Sequence, residues 1–221
     1  MADKFIESFT DLHKAVESYG DKVIVYRGVT DLNHELIPEV GRHKRKASDI
    51  DEKEEKTILR LFKEQALPFL TFRPETDWEW LSIARHHGLP TRLLDWTRNP
   101  LIGAYFAVEK EHADDSLIYA YHSPTFFRTD EYSSPFDRKE VGKFIPLHVT
   151  RRITAQAGLF TIHPKPTEAL KSPEVDRLII RRDFRKELKR VLFKYGIHRA
   201  SLFPDLDGLA NHIKWLRTDV Y

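Results

Sequence analysis

The sequence predicts a single α+β domain in which a helical N-terminal half packs on a mixed, largely antiparallel sheet. Apolar residues repeat at helical spacing through most of the first half, whereas short apolar runs typical of strands dominate the second. A helical half followed by a strand-rich half favours α+β over a regularly alternating α/β sheet. Because the 221 residues contain no repeat and no low-complexity linker, we expect residues 1–221 to form one domain.

The composition excludes several kinds of chemistry. There are 36 Lys and Arg against 34 Asp and Glu, and a net charge of +2 argues against a protein that coats nucleic acid. The absence of cysteine excludes disulfides, cysteine catalysis, iron–sulfur clusters and thiolate zinc sites. Neither an apolar signal core nor a membrane-length apolar run is present, so we expect a cytoplasmic protein without membrane contact.

The first predicted elements are a helix, a strand and a second helix. Phe5, Phe9, Leu12 and Val16 would share one helical face, and Gly20 would end that helix. The apolar run 22–26 predicts a buried strand that ends at Arg27 and Gly28. The charged stretch 42–51 predicts an exposed loop, and 51–66 predicts a helix with three inward residues: Ile58, Phe62 and Ala66.

Two helix starts carry specific signals. Thr76 and Glu79 have the spacing of a capping box, which opens a helix that Gly88 and Pro90 would end. Asn99 followed by Pro100 has the form of an N-cap and a first helical position. The helix that follows would turn an apolar stripe to the core, formed by Leu101, Ala104, Tyr105 and Val108.

The second half reads as strands followed by two helices. Strands are predicted at 116–121, 143–149, 153–162 and 177–180. Asp183 would cap a helix that Gly196 ends, with four inward residues: Phe184, Leu188, Leu192 and Tyr195. A final helix would bury Leu206, Leu209, Ala210 and Ile213.

Arg27 is the first candidate for chemistry. An arginine at the end of a buried strand requires a partner, and its planar fork suits a phosphate or a carboxylate. The following Gly28 would allow close approach of the backbone. The alternative is a structural ion pair at the end of the strand, which the spacing alone favours slightly.

The densest group of polar residues lies in 84–97, and it predicts the wall of a small-molecule pocket. The leucines and Trp96 in this block need burial, which is unusual for a surface loop. Arg92 and Asp95 could pair with each other, either beside a ligand or as a clamp that merely holds the loop. Thr97 would lie beside the N-terminus of the next helix, where backbone N–H groups favour an anion.

Several weaker candidates remain open. His86 and His87 are adjacent, so on a helix their side chains would diverge by about 100° and could not easily share a metal, and we expect none. Gln156 could bind a ligand amide or simply occupy an edge strand. Asp205 or Asp207 would cap the last helix. Alternatively, one of these two aspartates could act as a general base.

These motifs resemble the FRG domain family, which is named for a Phe/Tyr-Arg-Gly signature. The resemblance extends over about residues 23–209 and implies an effector setting, as an intracellular toxin or in phage defence. The segments that carry it are Tyr26-Arg27-Gly28, 86–97, Asn99-Pro100, 104–107, 156–160 and 203–209.

A more distant similarity to ADP-ribosyltransferases implies their fold and a mechanism. A strand ending in Arg-Gly binds NAD in those enzymes, which implies that Arg27 holds the pyrophosphate and that Thr97 orients Arg27 or the ribose. NAD would be the substrate, and a protein or nucleic acid could be the acceptor. No metal is expected. The implied ligand-binding residues are Tyr26, Gly28, His87, Thr91, Arg92, Asp95, Tyr105 and Gln156.

At one position the sequence departs from the pattern of the ADP-ribosyltransferases. Gly158 stands where a catalytic glutamate is expected, and Asp205 or Asp207 could take its place. The leading hypothesis is an ADP-ribosyltransferase or NAD glycohydrolase. One alternative is a non-catalytic module that binds a nucleotide or a protein. A second alternative is a hydrolase or nuclease that uses His86, His87 and Asp95.

Overall fold

A seven-stranded mixed sheet forms the centre of the chain, in a computed structural model that describes residues 3–45, 48–123, 125–147 and 150–218. The order across the sheet is β1-β9-β6-β2-β5-β8-β7, and β1 and β9 pair in parallel while the other neighbours are antiparallel. Strands β3 and β4 form a separate hairpin. The strands are β1 (Asp3–Ile6), β2 (Val25–Val29), β3 (Lys44–Arg45), β4 (Ser48–Asp49), β5 (Leu93–Thr97), β6 (Ser116–Tyr121), β7 (Gly142–Phe144), β8 (Gly158–Ile162) and β9 (Val175–Ile180).

Nine α-helices accompany the sheet within the described ranges, so the predicted α+β class is confirmed. None of these helices has the length and apolar character needed to cross a membrane. The helices are α1 (Phe9–Glu17), α2 (Glu39–Arg42), α3 (Glu52–Ala66), α4 (Asp77–His86), α5 (Pro100–Val108), α6 (Arg151–Ala155), α7 (Arg185–Lys194), α8 (Arg199–Leu202) and α9 (Leu206–Thr218).

The helix starts that carried sequence signals are confirmed. The hydroxyl of Thr76 accepts from the backbone of Glu79, whose carboxylate accepts in return from Thr76, so both halves of the capping box are formed. Asn99 Oδ1 accepts from the backbone N–H of Leu101 at 2.9 Å, and Pro100 is the first residue of α5. Local hydrogen bonding therefore defines where α4 and α5 begin.

The sheet has two halves that pack against different helices. Strands β1, β9, β6 and β2 share a buried apolar cluster with α1, α5 and α7. Strands β5, β8 and β7 share another with α3 and α4. The halves meet at β2 and β5, which share one register pair, Tyr26 with Thr97, whereas β2 pairs with β6 over five positions. The sheet is therefore open between β2 and β5.

Helix α5 lies directly on β2 because two glycines leave it room. A Cβ on Gly28 would lie 2.0 Å from the carbonyl oxygen of Gly103 and 2.5 Å from the nitrogen of Ala107. A Cβ on Gly103 would lie 2.8 Å from the Cβ of Tyr26. The glycine after Arg27 is thus required by helix packing, which fixes the position of Arg27 relative to α5.

Several predicted boundaries are wrong in the N-terminal half. Phe5 belongs to β1 and is 57 % exposed, since Ser8 caps α1 and separates the two elements. The strand predicted at 22–26 begins at Val25 and continues to Val29, so Arg27 lies inside the strand rather than at its end. The predicted loop 42–51 contains the β3–β4 hairpin, and residues 46 and 47 lie outside the described part.

The C-terminal half departs further from the predictions. Segment 153–162 is not one strand: α6 ends at Ala155, and Ala157, with a φ of 46°, turns the chain into β8. Strand β7 ends at Phe144, and residues 148 and 149 of the predicted strand lie outside the described ranges. Helix α7 follows a 3₁₀ turn (Arg182–Phe184) without the predicted side-chain cap, and Tyr195 is exposed.

The final helix also turns a different face to the protein. Its predicted core residues are exposed, and Gly208 and His212 are buried instead. Apolar spacing predicts that a helix has an apolar face, but it does not decide whether the same chain covers that face. The predicted core residues that are exposed are Leu206, Leu209, Ala210 and Ile213.

Candidate functional site

A cleft of about 620 Å³ lies where the two halves of the sheet meet, beside Arg27 of β2 and Asp95 of β5. Its volume falls in the range of small-molecule and cofactor sites, about 300–1,000 Å³. The cleft is also lined by residues of α4, α6 and the start of β8. The cleft therefore lies beside the point where β2 and β5 share their single register pair.

Arg27 reaches across the gap between these strands. Its Nη1 donates to the main-chain oxygen of Asp95 at 2.8 Å and lies 3.5 Å from that residue's Oδ2. Its buried Nε has no hydrogen-bond partner among the described residues. Burial lowers the pKa of Arg27 to about 10, against the opposing effect of Asp95, so the guanidinium is still charged at neutral pH. The buried Nε–H of this cation thus remains without an acceptor among the described residues.

Arg85 joins the two carboxylates of the cleft. Its Nε and Nη2 donate to Oδ2 of Asp95 at 3.0 and 2.7 Å, and its Nη1 contacts Oε2 of Glu39. Burial alone would raise the pKa of Asp95, but the charges of Arg85 and Arg27 outweigh it and hold that pKa below 3.8. Burial likewise opposes the charge on Arg85, yet Asp95 and Glu39 raise its pKa. Asp95 and Arg85 are therefore both ionised at neutral pH.

The lining of the cleft carries an excess of positive charge. Four cationic side chains face two acidic ones, Asp95 and Glu39. Arg152 makes no ion pair with a described residue, and its guanidinium lies 4.3 Å from the ring centroid of Phe203. Burial lowers the pKa of Arg152. The cleft is thus suited to an anion with two negative charges; its cations are Arg27, Arg85, Lys110 and Arg152.

The two histidines of the cleft are not arranged as metal ligands. Their rings meet edge to face with centroids 4.9 Å apart, and Nε2 of His86 lies 3.2 Å from the hydroxyl of Thr150. Burial lowers the pKa of His86 to about 4, so this imidazole is neutral at physiological pH. The described residues contain no group of three side chains that could hold a metal ion.

Part of the chain that lines this cleft resembles a known protein family. Residues 22–116 match the model of the FRG domain. The match covers 95 of the 221 residues and confirms the resemblance to the FRG domain family over that part of the chain. No curated protein and no solved structure matches the chain, so the resemblance to ADP-ribosyltransferases stays a prediction. The matched part of the FRG domain includes Arg27, Glu39, Arg85 and Asp95, whereas Arg152 of the cleft lies beyond it.

The fold of the chain brings most, but not all, of the predicted site residues to this cleft. Seven line it, and four lie elsewhere: Thr91, Arg92, Tyr105 and Asp205. Glu39, Lys110 and Arg152 were not predicted, because no sequence motif connects these residues to the Arg-Gly strand. The seven are Tyr26, Arg27, Gly28, His87, Asp95, Thr97 and Gln156.

Arg92 does not pair with Asp95. Its Nε and Nη2 donate to the two carboxylate oxygens of Glu55 at 2.9 and 2.8 Å, and both side chains are buried. The guanidinium also lies 4.4 Å from the ring centroid of Phe136. Arg92 therefore joins the loop before β5 to α3, while Asp95 turns to the cleft. The hydroxyl of Thr91 accepts from the backbone of Leu93 at 3.3 Å.

Thr97 and Gln156 line the cleft but use their polar groups within the protein. The hydroxyl of Thr97 donates to the carbonyl oxygen of Gln156 at 2.7 Å and accepts from the backbone of Asn99 at 3.1 Å. The amide of Gln156 donates to the carbonyl oxygen of Leu202 at 3.1 Å. These contacts connect the end of β5 to the residue that follows α6.

Neither Asp205 nor the position of Gly158 supplies the catalytic acid that the resemblance implies. Asp205 Oδ1 accepts from the backbone N–H of Gly208 at 2.6 Å, in the manner of an N-cap at α9. A Cβ on Gly158, the first residue of β8, would lie 3.2 Å from Cγ2 of Ile153. The carboxylates that line the cleft are those of Glu39 and Asp95 instead.

Proposed function

We propose that this chain binds an anionic nucleotide, with NAD as the leading candidate, in the cleft beside Arg27. The observation that carries the proposal is the buried guanidinium of Arg27, whose Nε has no partner among the described residues. A charged donor that is buried and unsatisfied is costly unless a ligand completes its hydrogen bonds. An anionic ligand oxygen beside Arg27 would do so.

The charge of the cleft supports a diphosphate in particular. A pyrophosphate carries about two negative charges in a dinucleotide, which matches the excess of two cations in the lining. Arg152 makes no ion pair with a described residue, so together with Arg27 it offers a second planar fork for phosphate oxygens. Glu39 and Asp95 already neutralise much of Arg85, which leaves Arg27 and Arg152 as the main phosphate ligands.

Cleavage of NAD is the more specific form of this proposal. Loss of nicotinamide breaks the C1′–N bond, and a new bond forms from C1′ to water or to an acceptor that gives up a proton. Positive charge develops on the ribose, and a fixed carboxylate stabilises it. Arg85 forms ion pairs with both Glu39 and Asp95 and helps to lower the pKa of Asp95, so these carboxylates would act through charge rather than as general bases.

The geometry supports the hydrolase or nuclease alternative less well. Asp95 is held by Arg85 and Arg27, and His86 contacts Thr150, so the three groups do not form a relay. A module that binds a nucleotide without cleaving it retains the same cleft. An effector role, as a toxin or in phage defence, would require the consumption of NAD in cells and therefore depends on the catalytic form.

Binding is tested by titrating NAD and ADP-ribose into the wild type and into Arg27→Ala by calorimetry. We expect at least tenfold weaker binding in the variant, which equals about 1.4 kcal/mol. Arg60→Ala is the matched control, since Arg60 lies on the exposed surface of α3 and pairs with Glu64. Equal affinity in the wild type and Arg27→Ala, or no binding at millimolar ligand, would overturn the proposal.

Catalysis is tested separately by following nicotinamide release, with and without cell lysate as a source of acceptor. We expect release by the wild type and at least a tenfold loss in Glu39→Gln, whose side chain keeps its size but loses its charge. Binding of NAD without any release would exclude the catalytic form and leave the binding module. Release that depends on a divalent metal would instead favour the hydrolase alternative.

A further inference from the structure

A second cavity, of about 300 Å³, lies between the end of α5, helix α7, the turn at 196–199 and helix α9. It borders the first cleft only through Lys110, which lines both. Its volume is about half that of the first cleft and lies at the lower end of the range of ligand sites. A cavity of this size holds one ring system and a small substituent, but not a dinucleotide.

One wall of this cavity is formed by stacked aromatic rings. The imidazoles of His198 and His212 are nearly parallel, with centroids 4.1 Å apart and an interplanar angle of 14°. The indole of Trp215 lies 5.5 Å from the ring of Phe193 and 6.1 Å from that of His212. Trp215 lines the cavity and is partly exposed. Such a wall favours a planar aromatic molecule.

The remaining lining carries more cations than carboxylates. Lys189 donates from its Nζ to the carbonyl oxygen of Glu109 at 2.7 Å and lies 5.4 Å from the centroid of Trp215. Burial lowers its pKa to about 8, so it is largely charged at neutral pH. Four cationic side chains face the carboxylates of Glu109 and Glu111, and Arg199 already pairs with Glu109. The other two cations are Lys110 and Lys214.

We propose that this second cavity binds a small aromatic anion: a single ring system with one phosphate or carboxylate. The ring would stack on Trp215 within the aromatic wall, and the anionic group would meet Lys189 and Lys214. This site is independent of the Arg27 cleft. Tyr105, which the resemblance placed among the NAD-binding residues, lines this cavity rather than the cleft.

The test uses two probes, AMP and phenyl phosphate, in a background of Arg27→Ala with Arg152→Ala, which removes both main phosphate ligands of the first cleft. We expect calorimetry to detect binding of at least one probe in this background. Adenosine, phenol and inorganic phosphate should each bind at least tenfold more weakly, because each lacks either the charge or the ring. Binding of phosphate as strong as that of AMP and phenyl phosphate would contradict the role of the aromatic wall.

Variants then locate the site. Adding Trp215→Ala or Lys214→Ala should weaken binding at least tenfold, and circular dichroism should show that each variant is folded. Leu216→Ala is the matched control, since Leu216 lies on the same helix and is 48 % exposed without lining the cavity. The proposal is overturned if neither probe binds, or if binding is the same in all three variants. Either result leaves the proposal for the Arg27 cleft unaffected.

Discussion

Arg85 donates two hydrogen bonds, from Nε and Nη2, to the same carboxylate oxygen of Asp95, at 3.0 and 2.7 Å. The third nitrogen of this guanidinium contacts Glu39. Arg85 therefore connects α4 to β5 and to α2 at the edge of the cleft. The first consequence is that Asp95 has a structural task as well as a place in the candidate site.

Asp95→Asn is expected to lower the free energy of unfolding at pH 7 by about 1.5–3 kcal/mol, the range for hydrogen bonds to charged groups. The amide would leave Arg85 and Arg27 without the charge that opposes theirs. Urea denaturation measures the change, with Glu39→Gln expected to lose less because it contacts Arg85 through one nitrogen. A loss in Asp95→Asn no larger than that in Glu39→Gln would contradict this assignment.

The buried pair of Arg92 and Glu55 gives a second prediction. Glu55→Gln should destabilise the protein by about 3–5 kcal/mol, because the buried guanidinium of Arg92 keeps only a longer contact, at 3.7 Å, with the half-exposed carboxylate of Glu52. Replacing both residues, as in Glu55→Leu with Arg92→Met, should recover much of that loss. A double-mutant cycle should give a strong coupling of Arg92 with Glu55 and a weak one with Asp95. The reverse order would support the pairing that the sequence predicted.

Asp205 is expected to matter for stability rather than for chemistry. Because its carboxylate accepts from the backbone of Gly208, Asp205→Ala should lower the free energy of unfolding by about 0.5–2 kcal/mol. Asp205→Asn retains a capping oxygen and should lose less. Nicotinamide release and NAD affinity should be the same in Asp205→Asn as in the wild type. A tenfold loss of release in a folded Asp205→Asn would restore Asp205 as the catalytic acid.

The burial of His163 leads us to predict that the folded protein loses stability in acid. Burial lowers its pKa to about 3 in the folded protein, whereas an unfolded histidine has a pKa near 6.5. The unfolded state therefore binds more protons below pH 6.5, and the stabilisation that is complete above that pH is lost progressively as the pH falls towards 3. The slope for one such group is at most about 1.4 kcal/mol per pH unit.

Denaturation at pH 7.5, 6.0 and 5.0 tests this behaviour. His163→Gln should be less stable than the wild type at pH 7.5, because the contact of His163 with the hydroxyl of Thr161 is disturbed. Its stability should also fall less steeply towards pH 5. The control is His13→Gln, since the side chain of His13 is 69 % exposed and should leave the slope unchanged. Equal slopes in His163→Gln and the wild type would rule out this role.

Local signals predicted a considerable part of the fold. The capping box at Thr76, the cap at Asn99 and the apolar residues of α5 depend on residues within about four positions, so the sequence shows them directly. The parallel partner of β1 could not be found in this way, because β9 lies more than 170 residues further along the chain. Phe5 was accordingly assigned to the wrong element.

Local signals likewise identified only some residues of the candidate site. The sequence identified Arg27 and Asp95 because charged residues inside apolar stretches are unusual in any fold. It could not identify Glu39 or Arg152, which carry no local signal and reach the cleft only through the packing of α2 and α6. Nor could it separate Arg92 from Asp95, since the partner of each depends on which element faces it.

The sequence by itself thus determined the resemblance to the FRG domain family, the α+β class and the arginine around which the candidate site is built. Tertiary structure decided that β2 and β5 share a single register pair, that α5 crosses β2 at Gly28, and that the space left between the strands is lined by four cations and two carboxylates. The physical reason is the distance along the chain over which each kind of interaction acts. Capping and apolar periodicity act between neighbours in the chain, whereas charge balance in a cleft depends on residues that only folding brings together.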